Sequence, residues 1–146
     1  MASFNPYLNF AGTTEEAFNF YKSVFGGEFS AVMRFKDMAS GEGCDGAQVS
    51  EADADKIMHI SLPLGGDTVL MGTDSLESMG QKLTAGDNFS ICIGPDSKEE
   101  ADRLYQALSE GGTASMPMAD MFWGDYWGML TDKFGIQWMV NYGEKK

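Results

Sequence analysis

A chain of 146 residues has room for one compact domain or two fused small modules, and it is long enough to bury a core without a disulfide or metal staple. Hydrophobic residues make up 43% and charged residues 22%, which excludes a disordered tail, and no apolar run approaches the roughly 18 to 20 residues of a membrane span. Ten Lys and Arg against 22 Asp and Glu give a formal charge of −12, so nucleic acid and anionic membranes are not expected partners.

The opening Met-Ala-Ser-Phe-Asn-Pro lacks the basic start and apolar stretch of a signal peptide, and a cytoplasmic location is the expectation. Tyr7-Leu8-Asn9-Phe10 is short and strand-like. Thr13-x-x-Glu16 then reads as a capping box, in which hydroxyl and carboxylate satisfy amides of a first helical turn. Ala17, Phe20, Tyr21, Val24 and Phe25 follow on one apolar face, and Gly26-Gly27 supplies a left-handed exit. Strand signals cover 28–35, 57–64 and 68–71, with a Gly65-Gly66-Asp67 turn joining the last two. The acidic stretch 36–55 is a long loop of the kind that serves as a binding loop or lid, or is plain surface insertion.

The same order then returns. Phe89 to Ile93 is strand-like, Ser97-x-x-Glu100 is a second capping box, and Ala101, Leu104, Tyr105 and Leu108 make the second stripe before Gly111-Gly112. Glu16, Ala17 and Tyr21 recur as Glu100, Ala101 and Tyr105. Strand signals follow at 113–118, 126–131 and 136–141, the last two around an Asp132-Lys133-Phe134-Gly135 turn. Each half reads β-α-β-β-β: a module at 1–74, a linker at 75–85 and a module at 86–146. Cys44 and Cys92 show no CxxC and no neighbouring ligands, so two free thiols are expected rather than a disulfide or a zinc site.

Two tandem βαβββ halves resemble the vicinal oxygen chelate superfamily (glyoxalases, extradiol dioxygenases, bleomycin- and fosfomycin-resistance proteins). Three stretches look like its PhnB-like branch: Pro6-Tyr7-Leu8-Asn9-Phe10-Ala11-Gly12; Met58-His59-Ile60-Ser61-Leu62 with Val69-Leu70-Met71-Gly72-Thr73-Asp74; and Phe122-Trp123-Gly124 through Thr131-Asp132-Lys133-Phe134-Gly135-Ile136-Gln137-Trp138. The resemblance covers essentially the whole chain. It implies an α+β fold in which the curled mixed sheets of the two modules surround a cleft, and it implies a homodimer. Metal-using members carry His, Gln or Glu on the first and last strand of each half. Here those places fall on Pro6 or Tyr7, on Leu70 or Met71, on Asn88, Phe89 or Ser90, and on Met139. None suits a hard or borderline divalent ion, and a thioether of Met71 or Met139 suits Cu(I) better. No cofactor and no metal ligand is therefore expected. A divalent ion held weakly by His59, Asp74 and a loop acid is the disfavoured alternative.

His59 is the one histidine of the chain. It shares a strand face with Ser61 by period two, and Asp74 ends the partner strand. Imidazole exchanges protons near neutral pH, so His59 is the candidate catalytic base or substrate donor; a half-buried structural histidine is the alternative. Aromatic and Met side chains crowd the last stretch of the chain. Trp123 and Trp138 are assigned to the cleft wall, Trp127 and Phe134 to core or turn packing. The ligand-binding set is then Tyr7, Asn9, Ser61, Met71, Asp74, Phe89, Trp123, Trp138 and Met139. Arg34 and Lys36, two residues apart on a strand, would hold a carboxylate or phosphonate, or pair with surface acids. Members of the branch are also labelled ubiquinone methyltransferases, but no Gly-rich loop with a following acidic ribose contact is present.

Three functions follow. The first is binding of a small molecule in an aromatic cleft without the superfamily's metal. The second is a lyase, isomerase or dioxygenase type of enzyme working through His59. The third is a dimeric interaction protein with no small ligand.

Overall fold

The computed structural model describes residues 4–39, 53–76, 82–84, 86 and 88–143. The chain divides into two compact units, Met1–Thr84 and Ala85–Lys146. The boundary falls at the end of the expected linker. Most of the acidic stretch 36–55, Cys44 and the middle of the linker lie outside the described residues.

The first unit runs β1 (Tyr7–Phe10), α1 (Thr14–Phe25), β2 (Ala31–Arg34), a short α2 (Phe35–Ala39), β3 (Ile57–Gly65) and β4 (Thr68–Asp74). The second runs β5 (Ile91–Ile93), α3 (Lys98–Ser109), β6 (Thr113–Asp120), β7 (Tyr126–Thr131) and β8 (Gln137–Tyr142). The sheets are ordered β1-β4-β3-β2 and β5-β8-β7-β6, so the repeat is topological as well as sequential. In each, the first strand pairs parallel with the last and the other pairs are antiparallel. That is a mixed α+β architecture. Among the described residues no helix is long and apolar enough to cross a membrane.

Period-two alternation gives each sheet a helix-covered face. In the first unit Leu8, Phe10, Ile60, Leu62 and Leu70 are buried with Ala17, Phe18, Tyr21 and Val24 of α1. In the second, Leu130, Trp138 and Val140 are buried with Ala101, Leu104 and Leu108 of α3. Both helices sit close to their sheets because a glycine leaves space. A Cβ on Gly72 would lie 2.6 Å from the Phe18 ring, and one on Gly128 would lie 3.0 Å from the Tyr105 ring.

The two helix starts differ. Ser97 Oγ accepts the Glu100 amide at 3.1 Å, the contact its capping box requires. Thr13 makes no side-chain cap. Its place is taken from across the sheet by Asp74, whose Oδ1 accepts the Gly12 amide at 3.0 Å, the Thr14 amide at 3.1 Å and the Thr14 hydroxyl at 2.6 Å. The other oxygen, Oδ2, accepts the Ile57 amide at 2.8 Å. One buried carboxylate therefore ties the start of α1 to the start of β3.

Candidate functional site

The face of the first sheet opposite α1 carries Tyr7 and Asn9 of β1, Met71 and Thr73 of β4, His59 and Ser61 of β3, and Ala31 and Met33 of β2. Pairing fixes this set: Tyr7 lies opposite Met71, Met71 opposite Ser61, Ser61 opposite Ala31, and His59 opposite Met33. Directly paired residues share a face. Tyr7 is 46% exposed and Met33 is exposed, whereas Ser61 at 6% forms the floor.

His59 is held at both ring nitrogens. Nε2 lies 2.7 Å from Ser61 Oγ, and Nδ1 lies 3.3 Å from the Tyr7 hydroxyl, with the two rings 5.8 Å apart and tilted by 35°. A neutral imidazole satisfies the chain in either tautomer: Ser61 donates to Nε2 and Nδ1–H donates to Tyr7, or Nε2–H donates to Ser61 and Tyr7 donates to Nδ1. The Ser61 contact is short and part-buried; the Tyr7 contact is long and exposed. Nδ1 and the Tyr7 hydroxyl are thus the more exposed polar atoms of this chain of contacts. Thr73 and Met33 also belong to this face, outside the expected ligand-binding set. The signal was available in the spacing of Thr73 from Met71 and of Met33 from Ala31. The Thr73 hydroxyl itself is spent on the Met58 carbonyl at 2.7 Å.

Other residues of the expected set go elsewhere. Asp74 is 3% exposed on the helix-covered face, its oxygens taken as described, so it does not join His59. Trp138 is 1% exposed in the second core, where its indole N–H donates to Asp132 Oδ2 at 2.8 Å. Asp132 Oδ1 accepts the Phe134 and Ile136 amides, so the expected hairpin turn is organised around a buried carboxylate. Trp123 is on the tip of the β6–β7 hairpin rather than on a strand. It is half-exposed, edge-on to Phe122 at 4.9 Å and to Trp127 at 6.3 Å. Phe89 is exposed ahead of β5, its carbonyl accepting from Gln137 Nε2. Met139 is half-buried on the face of the second sheet opposite α3, paired with Cys92.

Arg34 ends β2, while Lys36 belongs to α2, so they do not form a pair on one strand. Arg34 forks onto the Glu15 carboxylate and donates to the Asp55 carbonyl; Lys36 donates to the Asp55 carboxylate. The hydrogen bond from Arg34 holds the Glu15 carboxyl below its ordinary value. Both cations serve surface ion pairs, as the second of the two sequence expectations had it.

The described residues do not supply the His, Gln or Glu ligand set that metal-using members of the superfamily carry. Among the described residues no three His, Cys, Asp or Glu side chains converge. His59 and Asp74 lie on opposite faces of the sheet, and the Asp74 oxygens are already engaged.

A separate polar corner in the second unit has a measurable signature. The Tyr126 hydroxyl donates to Asp102 Oδ1 at 2.6 Å, and this bond, aided by burial and by the charges of Asp102 and Asp120, pushes the phenol up to about 12. The folded chain favours the neutral phenol. Its contribution to stability is therefore complete below the unfolded value near 10 and is lost as pH rises toward 12. Tyrosinate absorbance is expected to show this phenol ionising late, and Asp102→Asn should return it toward the ordinary range.

Two four-stranded mixed sheets, each with its first strand parallel to its last, define a glyoxalase/bleomycin-resistance-like fold of the vicinal oxygen chelate superfamily. Within it, a family described as 3-demethylubiquinone-9 3-methyltransferase matches residues 2–141, and the chain belongs to this PhnB-like family. Protein YjdN of Escherichia coli is 30% identical over 143 residues, spanning 94% of this chain and 92% of that protein. The crystal structure of protein PA1353 from Pseudomonas aeruginosa superposes with a TM-score of 0.83 at 36% identity, covering 99% of this chain and all of that one. A putative 3-demethylubiquinone-9 3-methyltransferase, PhnB protein, from Bacillus cereus gives 0.75 at 25% identity, covering 97% and 100%.

Proposed function

We propose that the protein binds a small, neutral, oxygen-bearing ring of the phenol or quinone class on the uncovered face of its first sheet, without a divalent metal. The carrying observation is the His59 imidazole, fixed from below by Ser61 at 2.7 Å and open toward the ligand at Nδ1 beside the Tyr7 hydroxyl. Two adjacent groups that can each donate or accept suit a phenolic or carbonyl oxygen. Met33 and Met71 flank them with polarizable apolar surface. A net charge of −12 favours a neutral ligand over an anion. The names of the family and of the Bacillus cereus relative carry the same chemistry, a ring of the ubiquinone type.

The methyl transfer in those names finds less support. Each sheet has a single parallel pair, and the amides before α1, which in dinucleotide folds face a cofactor, are filled by Asp74. The protein in this reading is a cytoplasmic homodimeric binding protein. Exposed Phe122 provides apolar surface for a second chain.

A second reading makes His59 a general base toward the bound ring, and the same open Nδ1 favours it. Calorimetry with 2-methoxyphenol on the wild type, His59→Gln and Tyr7→Phe separates these readings. Gln keeps a donor and an acceptor, so binding should persist within about tenfold. An enzyme would lose turnover by roughly 10² or more in the same variant. Tyr7→Phe should weaken binding in both cases. Affinity unchanged in Tyr7→Phe and in His59→Ala would contradict the site.

A further inference from the structure

The face of the second sheet opposite α3 carries one row made entirely of sulfur side chains. Cys92 of β5 pairs with Met139 of β8, Met139 with Met129 of β7, and Met129 with Met116 of β6, this last pair lying between two register shifts of the edge strand. The row crosses all four strands. Paired residues point to the same side, and neighbouring Cα atoms in such a row are about 4.5 to 5.5 Å apart. Trp138, Leu130 and Val140 alternate to the buried side under α3, so this face is not the one that packs the core. Half-exposed sheet positions are ordinarily filled by Val, Thr or Tyr. The matching row of the first sheet is mixed, reading Tyr7, Met71, Ser61 and Ala31.

We propose that this row is a binding site for a soft monovalent metal ion, Cu(I), ligated by the Cys92 sulfur as thiolate and by the thioethers of Met139 and Met129, with Met116 at the edge strand as a further donor. Soft thiolate and thioether donors select Cu(I), whereas Zn(II) is ordinarily bound by thiolate, imidazole or carboxylate. The three rotatable bonds of Met let adjacent sulfurs lean toward a shared point. Cys92 is reachable from solvent and carries a free thiol. Partial burial holds that thiol above its ordinary value. Binding exchanges the thiol proton for the ion: Cu(I) and the S–H group give a Cu–S bond and release one proton, with no change of oxidation state.

The test uses the full chain carrying Cys44→Ser, which removes the other thiol, titrated anaerobically with Cu(I) against the chelator bathocuproine disulfonate. One Cu(I) per chain is expected. Met129→Leu and Met139→Leu conserve volume, and each should weaken binding by at least the roughly 10- to 100-fold that an outer-shell partner of a metal site is worth. Cys92→Ser should weaken it further, and Met121→Leu, outside the row, should not change it. Failure to take Cu(I) from the chelator, or full affinity in both Leu variants, would overturn the site and leave the row as apolar packing. Should a variant not fold, the Met methyl NMR signals of the Cys44→Ser chain decide. Ag(I), a redox-silent substitute, must shift those of Met129 and Met139 if the proposal holds, and unshifted signals refute it.

Discussion

Replacing Asp74 with alanine is expected to destabilise the first unit by about 3–5 kcal/mol. The side chain is 3% exposed, and its two oxygens accept three backbone amides and one hydroxyl. Leaving a buried donor without a partner costs about 1–3 kcal/mol, and here several are orphaned together, at a helix start and at a strand start. Asp74→Asn should cost less. Its carbonyl can keep the α1 contacts, while its amide nitrogen turns a donor toward the Ile57 N–H. The midpoint of urea unfolding checks both, with the slope unchanged. A loss below about 1 kcal/mol in the alanine variant would mean that water replaces the carboxylate, and Asp74 would regain standing as a ligand residue.

Trp138 gives the second large effect. Trp138→Ala should cost about 3–5 kcal/mol, since a large side chain at 1% exposure leaves a cavity under α3. Trp138→Phe isolates the hydrogen bond. It keeps most of the ring contact but leaves Asp132 Oδ2 without the indole N–H, a further cost of about 1–3 kcal/mol. Had Trp138 lined a ligand site, the Phe variant would change ligand affinity and spare the unfolding midpoint. The structural assignment predicts the reverse.

Both residues had the chemistry of a site and the wrong parity for it. Along a strand the side chains alternate, so Trp138 and Met139 face opposite sides, as do Met71 and Asp74. Applied strictly, period two would have kept Tyr7 with Asn9, His59 with Ser61, and Met71 with Thr73. Those are the residues the structure brings to one face. The strands were legible because their hydrophobic patterns are local: β1 and β7 fall on their predicted residues, while β4 runs on from Met71 to Asp74. The second helix start was legible for the same reason, its cap lying three residues from its amide. The first was not. Its donors reach across the sheet to Asp74, and no local motif reports a partner so distant in sequence. The tie between Tyr7 and His59 was hidden likewise, because it depends on the parallel pairing of β1 with β4.

Because His59 is the chain's one histidine, its imidazole proton signals report this face and nothing else. The most direct measurement follows them by NMR in the full chain as 2-methoxyphenol is added. The account predicts a saturable shift of the His59 ring signals, weakened in Tyr7→Phe while the unfolding midpoint stays put. Ring signals that stay still, or that drift without saturation and equally in both proteins, would contradict a ligand site built on Tyr7 and His59.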